Sequence, residues 1–84
     1  MSPVVRHAAQ LGHLLKSARR VAGLTQAALA ARAGLNQSRV STVERLPGRL
    51  TVDELLALAA TLDLELALRP RSADAAATAS DGDW

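Results

Sequence analysis

Residues 25–44, TQAALAARAGLNQSRVSTVE, decide the fold, because they read as two short helices joined by a glycine turn. Thr25 caps the first, whose apolar positions Leu29, Ala30 and Ala33 fall on one face. Gly34 stands where the chain must turn sharply, a place that calls for the positive φ glycine takes most easily. Leu35 plugs the turn, Asn36 caps a second helix, and Val40 and Val43 face inward at i, i+3. That leaves Gln37, Ser38, Arg39, Ser41 and Thr42 outward, short hydrogen-bonding side chains and one cation with no acid among them. Such a surface suits base edges and the phosphates beside them, so the stretch implies a DNA-reading helix-turn-helix. The alternative is an amphipathic helical hairpin without a ligand.

Outward from this unit, Leu11, Leu14, Leu15, Ala18 and Ala22 recur at helical spacing, predicting a first helix from Val5 to Ala22 that ends at Gly23. Arg45–Leu50 contains Pro47 and Gly48 and reads as a loop. Thr51 and Glu54 have capping-box spacing before a fourth helix whose buried face is Leu55, Leu56, Leu58, Ala59 and Leu62. The period then changes. In residues 64–69, LELALR, the leucines Leu64, Leu66 and Leu68 alternate with Glu65, Ala67 and Arg69, which suits a strand, and Pro70 ends it. Helix continuation competes, since Leu, Glu and Ala are good helix formers. A lone strand leaves its backbone groups without partners, and the simplest remedy is the same strand from a second copy, antiparallel across a twofold axis. The odd strand therefore predicts a homodimer.

Composition narrows the class. Eighty-four residues make one small domain, and the absence of cysteine excludes disulfides and thiolate metal sites and fits a reducing, cytoplasmic setting. His7 and His13, six apart, are a poor metal pair, and no metal or other cofactor is expected. No stretch approaches the ~20 apolar residues of a membrane span, and the opening MSPVVRHAAQ lacks a secretory apolar run. Serine, histidine and acidic residues show no catalytic spacing, so an enzyme is not expected. The net charge of +2 hides a division. Residues 1–50 hold eight cations (Arg6, Lys16, Arg19, Arg20, Arg32, Arg39, Arg45, Arg49) against Glu44, a balance of +7. Residues 51–71 hold Arg69 and Arg71 against Asp53, Glu54, Asp63 and Glu65, giving −2, and the three aspartates of residues 72–84 give −3. Basicity thus lies in the half that carries the reading helix, where phosphate attraction is needed. Residues 72–84, SADAAATASDGDW, have too little apolar surface to fold alone and read as a disordered acidic tail. Trp84, the one aromatic residue, is either a surface side chain or an anchor for a partner.

The stretch 25–44 resembles the XRE/Cro-type helix-turn-helix family, whose core runs T-Q-x-x-L-A-x-x-x-G-[ILV]-x-x-x-x-[IV]-S-x-x-E. Thr25, Gln26, Leu29, Ala30, Gly34, Leu35, Val40, Ser41 and Glu44 match in order. The span Leu11–Arg71, and the run LALAATLDLELALRP at 56–70 in particular, is similar to the HipB-type antitoxins of that group. The resemblance implies an all-α, four-helix, lambda-repressor-like domain over residues 1–71, a short C-terminal strand at 64–69 paired across a homodimer, and a flexible tail. It implies Gln37 and Ser38 as base readers, with Asn36 and Ser41 at bases or flanking phosphates. Gln26 would bind phosphate and brace Gln37, with Arg39, Thr42, Arg45 and Arg49 as further phosphate ligands. Arg19 and Glu44 look like a structural ion pair, which removes Arg19 from the DNA contacts. Some relatives end in tryptophan and dock their tail on a HipA-type serine/threonine kinase toxin, which Trp84 matches. Arg45-Leu46-Pro47-Gly48 departs from the family, where glycine often follows the glutamate sooner. The function implied is a transcriptional repressor of a pseudo-palindromic double-stranded operator, the antitoxin of a toxin–antitoxin pair. A stand-alone or phage-type repressor and an interaction module that binds no DNA are the alternatives.

Overall fold

The computed structural model describes residues 3–71. Four α-helices follow one another: α1 Ala8–Val21, α2 Gln26–Ala33, α3 Gln37–Arg45 and α4 Val52–Thr61, with a 3₁₀ turn, Pro47–Arg49, between α3 and α4. The first helix starts three residues later than its apolar spacing predicts. The Gln10 side chain accepts from the backbone N–H groups of Arg6 (2.6 Å) and His7 (3.1 Å), which fixes the helix entrance at His7 and leaves Val4 and Val5 outside, both largely exposed.

The other helix starts are set by side chains named in the sequence. Thr25 Oγ1 accepts from Ala28 N at 3.0 Å and Asn36 Oδ1 from Arg39 N at 2.7 Å. Thr51 and Glu54 form a reciprocal capping box, 3.1 Å one way and 2.9 Å the other. Three helices end in one way. Gly23, Gly34 and Asp63 each adopt positive φ (73°, 75° and 58°), and the next residue's N–H reaches back a full turn: Leu24 to Arg19 O, Leu35 to Ala30 O, Leu64 to Ala59 O. This arrangement satisfies end carbonyls that would otherwise be orphaned, and glycine takes it without a Cβ penalty.

The core is Leu15, Leu29, Ala30, Val40, Val43, Leu58 and Leu62, with Leu11, Ala18, Leu24, Ala33, Leu35, Leu50 and Leu55 packed on it. α2 lies against α3 and α4, while α1 lies against α3 and the 3₁₀ turn. One contact needs glycine. A Cβ on Gly12 would stand 2.7 Å from the carbonyl oxygen of Glu44 and 3.0 Å from Pro47 Cγ, so α1 can approach the end of α3 only where a side chain is missing. Leu56, expected on the buried face of α4, is instead 47% exposed.

Two expectations meet a limit. No strand occurs among the described residues, and residues 64–70 carry no regular secondary structure. A single chain offers that segment no ladder to join, and Leu64, Leu66 and Leu68 stand uncovered, Leu68 at 88% exposure. The tail at 72–84, with Trp84, lies outside the described residues. Among the described residues no helix is long and apolar enough to cross a membrane.

Candidate nucleic-acid interface

α3 is held by its buried side while its first turn projects. Val40 and Val43 are 1% exposed, whereas Asn36, Gln37 and Ser38 are exposed and Ser41 and Thr42 half-buried. No acid occupies the first turn of α2 or α3. The uncapped N–H groups and partial positive charge of those two helix starts therefore meet no acid within their own first turns, which favours an anion.

Behind this ridge runs a chain of hydrogen bonds. Arg19, 9% exposed, donates from Nε to Glu44 Oε2 at 2.7 Å and from Nη2 to Glu44 Oε1 at 3.1 Å, and from Nη1 to the Leu24 carbonyl at 2.9 Å. Gln26 Nε2 donates to Glu44 Oε1 at 3.1 Å, and Gln37 Nε2 donates to Gln26 Oε1 at 2.8 Å. Burial pushes the Glu44 carboxyl up, but the hydrogen bonds from Arg19 and Gln26, aided by the charges of Arg19 and Lys16, outweigh it and leave the group below its ordinary value. The Arg19 guanidinium is held above its ordinary value, chiefly by its hydrogen bond to Glu44. Arg19 is thus an interior strut, and Gln26 and Gln37 are joined into one unit at the mouth of the helix-turn-helix.

Arg39 stands elsewhere than a free phosphate ligand would. Its Nε and Nη2 donate to the two Glu54 oxygens at 2.6 and 2.7 Å, and Nη2 also to the Arg49 carbonyl at 2.8 Å. Glu54, drawn down to about 2 by Arg39 and by the Thr51 N–H, matches that charge. The pair clasps α3 to the start of α4. Nothing in local spacing announces it, because the partners sit fifteen residues apart on different helices. Gly12 also escaped the motif reading, although an isolated glycine inside a helical pattern signals close packing.

The remaining site residues divide by what they have left to offer. Asn36 Oδ1 is committed to its cap, leaving the amide nitrogen. Thr42 Oγ1 donates to the Ser38 carbonyl at 3.0 Å, so the hydroxyl retains only acceptor capacity. Arg45 and Arg49 are exposed at the far end of α3 and in the 3₁₀ turn. No group of three or more histidine, cysteine or acidic side chains that could hold a metal occurs among the described residues.

Comparison with known proteins agrees with this geometry. The helix-turn-helix family model matches residues 15–68, most of the chain. No curated protein matches. Among solved structures, one described as a HipA–HipB–O2–O3 complex is similar at 25% identity over 84% of this chain and 100% of that one, with a TM-score of 0.78. A HipB–O4 20mer complex gives 25% identity, the same coverages and a TM-score of 0.78. The matched pattern and the superposable four-helix frame place the chain in the helix-turn-helix family, of the XRE type, whose members are DNA-binding regulators and not enzymes.

Proposed function

We propose that the chain is a transcriptional repressor that binds its operator as a homodimer and serves as the antitoxin of a HipA-type kinase. The observation that carries the DNA reading is the exposed, acid-free first turn of α3, with Gln37 held from behind by Gln26. Gln37 and Ser38 read base edges, with Asn36 and Ser41 beside them. Arg45 and Arg49 meet phosphates, and so do the backbone N–H and remaining amide N–H of Gln26; Thr42 joins them by turning its hydroxyl proton away from the Ser38 carbonyl. Arg39 acts indirectly by holding α3. Glutamine offers a donor and an acceptor together, the combination adenine takes in the major groove.

Dimerisation is supported by residues 64–69. An alternating, uncovered leucine segment gains a ladder and a cover at once by pairing with itself across a twofold axis. Two copies of α3 then enter successive major grooves about 34 Å apart on a pseudo-palindromic site. Occupying the promoter is the whole mechanism, and it takes place in the cytoplasm where the DNA is. The toxin partnership rests on the likeness to HipB in a complex with HipA.

The test is a band shift on duplex from upstream of the chain's own gene, repeated across salt concentrations. Phosphate neutralisation makes log affinity fall linearly and steeply with log salt. Absence of binding at low salt overturns the repressor reading. Copurification with the product of the neighbouring gene tests the toxin partnership, which fails if no stable complex forms.

A further inference from the structure

We infer that Glu44 is a positioning residue for base recognition: acting through Gln26, it fixes the polarity of the Gln37 amide and so selects the base that Gln37 accepts. The inference rests on the reading of Gln37 as a base reader and goes beyond it.

Two glutamine side chains facing each other can hydrogen-bond in either sense, since each amide holds an acceptor and a donor. The inner end of this chain removes the choice. Glu44 is a buried carboxylate held ionised by Arg19, and an ionised carboxylate only accepts. The Gln26 atom 3.1 Å from Glu44 Oε1 is therefore nitrogen, which turns the Gln26 oxygen toward Gln37. Across the next 2.8 Å only an N–H of Gln37 can meet that oxygen. One Gln37 N–H is thus engaged inward, and its carbonyl oxygen and second N–H remain for the DNA.

An outward acceptor beside an outward donor complements adenine, which offers N6–H and N7 in the major groove. Guanine offers two acceptors, O6 and N7, and would need the opposite polarity, with the Gln37 oxygen turned inward and both N–H groups out. The sign of the charge at position 44 therefore reaches a base that Glu44 never touches. The groups facing Glu44 are Arg19 and Lys16 from α1 and Gln26 from α2, and both charges favour the ionised form.

The experiment has two arms. In the first, side-chain amide resonances of the free protein are followed by nuclear magnetic resonance. Lowering the pH toward the Glu44 titration should move the Gln26 and Gln37 amide signals with a shared midpoint, and Gln26→Ala should abolish the Gln37 response. Glu44→Gln, if it folds, should shift both signals at neutral pH. A Gln37 signal indifferent to Glu44, or unaltered by Gln26→Ala, overturns the inference.

In the second arm, wild type and Gln26→Ala, which keeps the Arg19–Glu44 pair, select from a pool of randomised duplexes about 20 base pairs long, enough for two half-sites. Wild type should enrich adenine at the position whose preference Gln37→Ala erases. At that position Gln26→Ala should lower the adenine-to-guanine ratio at least about fivefold. The ratio is taken within each protein, so a general loss of affinity cancels. An unchanged ratio overturns the inference. Failure of wild type to enrich any sequence would instead strike the base-reading proposal, while the resonance arm still judges the polarity of the amides.

Discussion

Gly12 and Arg19 occupy the same helix and solve opposite problems. Gly12 lets α1 touch the end of α3 by having no side chain, while Arg19 fills the interior with a charge whose Nε, Nη1 and Nη2 all find acceptors. A buried guanidinium is tolerated only when it is paired and hydrogen-bonded in this way. Helix propensity alone favours alanine over glycine by about 1 kcal/mol in a helix interior. The 2.7 Å approach of a Cβ to the Glu44 carbonyl reverses that preference, because the obstacle is backbone that cannot swing aside. Gly12→Ala should therefore destabilise the fold by about 1–3 kcal/mol, the usual range for overpacking. Urea denaturation measures it, and a gain in stability would show that α1 can slide away at little cost.

Among the elements, the helix-turn-helix was legible in the sequence because its determinants are local. Thr25 and Asn36 cap, Gly34 turns, and Leu29, Val40 and Val43 point inward, each within a turn of the feature it controls. The clasp between Arg39 and Glu54 was not legible. Arg39 reads as an outward cation on α3, and only the packing of α4 brings Glu54 to it. Residues 64–69 are a different case: alternation specifies a strand, but a strand needs a second backbone, which a single chain does not hold.

The two ion pairs also give the elements a common pH response. Glu54 lies at about 2 against an ordinary 4.5, and Glu44 is lowered as well, so both carboxylates bind protons more readily unfolded than folded. Their contribution is fully present above the unfolded value of 4.5 and is lost as pH falls through the folded values. Thermal midpoints should accordingly fall as pH drops from 4.5 toward 2, and Glu54→Gln should flatten part of that slope. A midpoint that holds steady or rises over this window would contradict the pairing of both carboxylates.

At the level of the whole molecule, charge and uncovered leucine lie in different halves. Residues 1–50 carry +7 and present the two helix starts, while the leucines of 64–69 follow α4 at the other end of the sequence. This division suits a chain that meets DNA with one half and its own copy with the other. Leu66, half-exposed in the single chain, should tolerate a charge as a monomer but not within a paired strand. Leu66→Glu is expected to shift the chain from dimer to monomer in sedimentation and to weaken operator binding; a variant that remains dimeric would place the interface elsewhere.

Base reading by the first turn of α3 is tested most directly by Gln37→Ala, compared with wild type by fluorescence anisotropy on the chain's own promoter duplex and on a scrambled duplex of equal length. The expected result is a loss of roughly 1–3 kcal/mol on the promoter with scrambled binding unchanged, because a base contact discriminates and a phosphate contact does not. Equal losses on both duplexes, or none on the promoter, would contradict it.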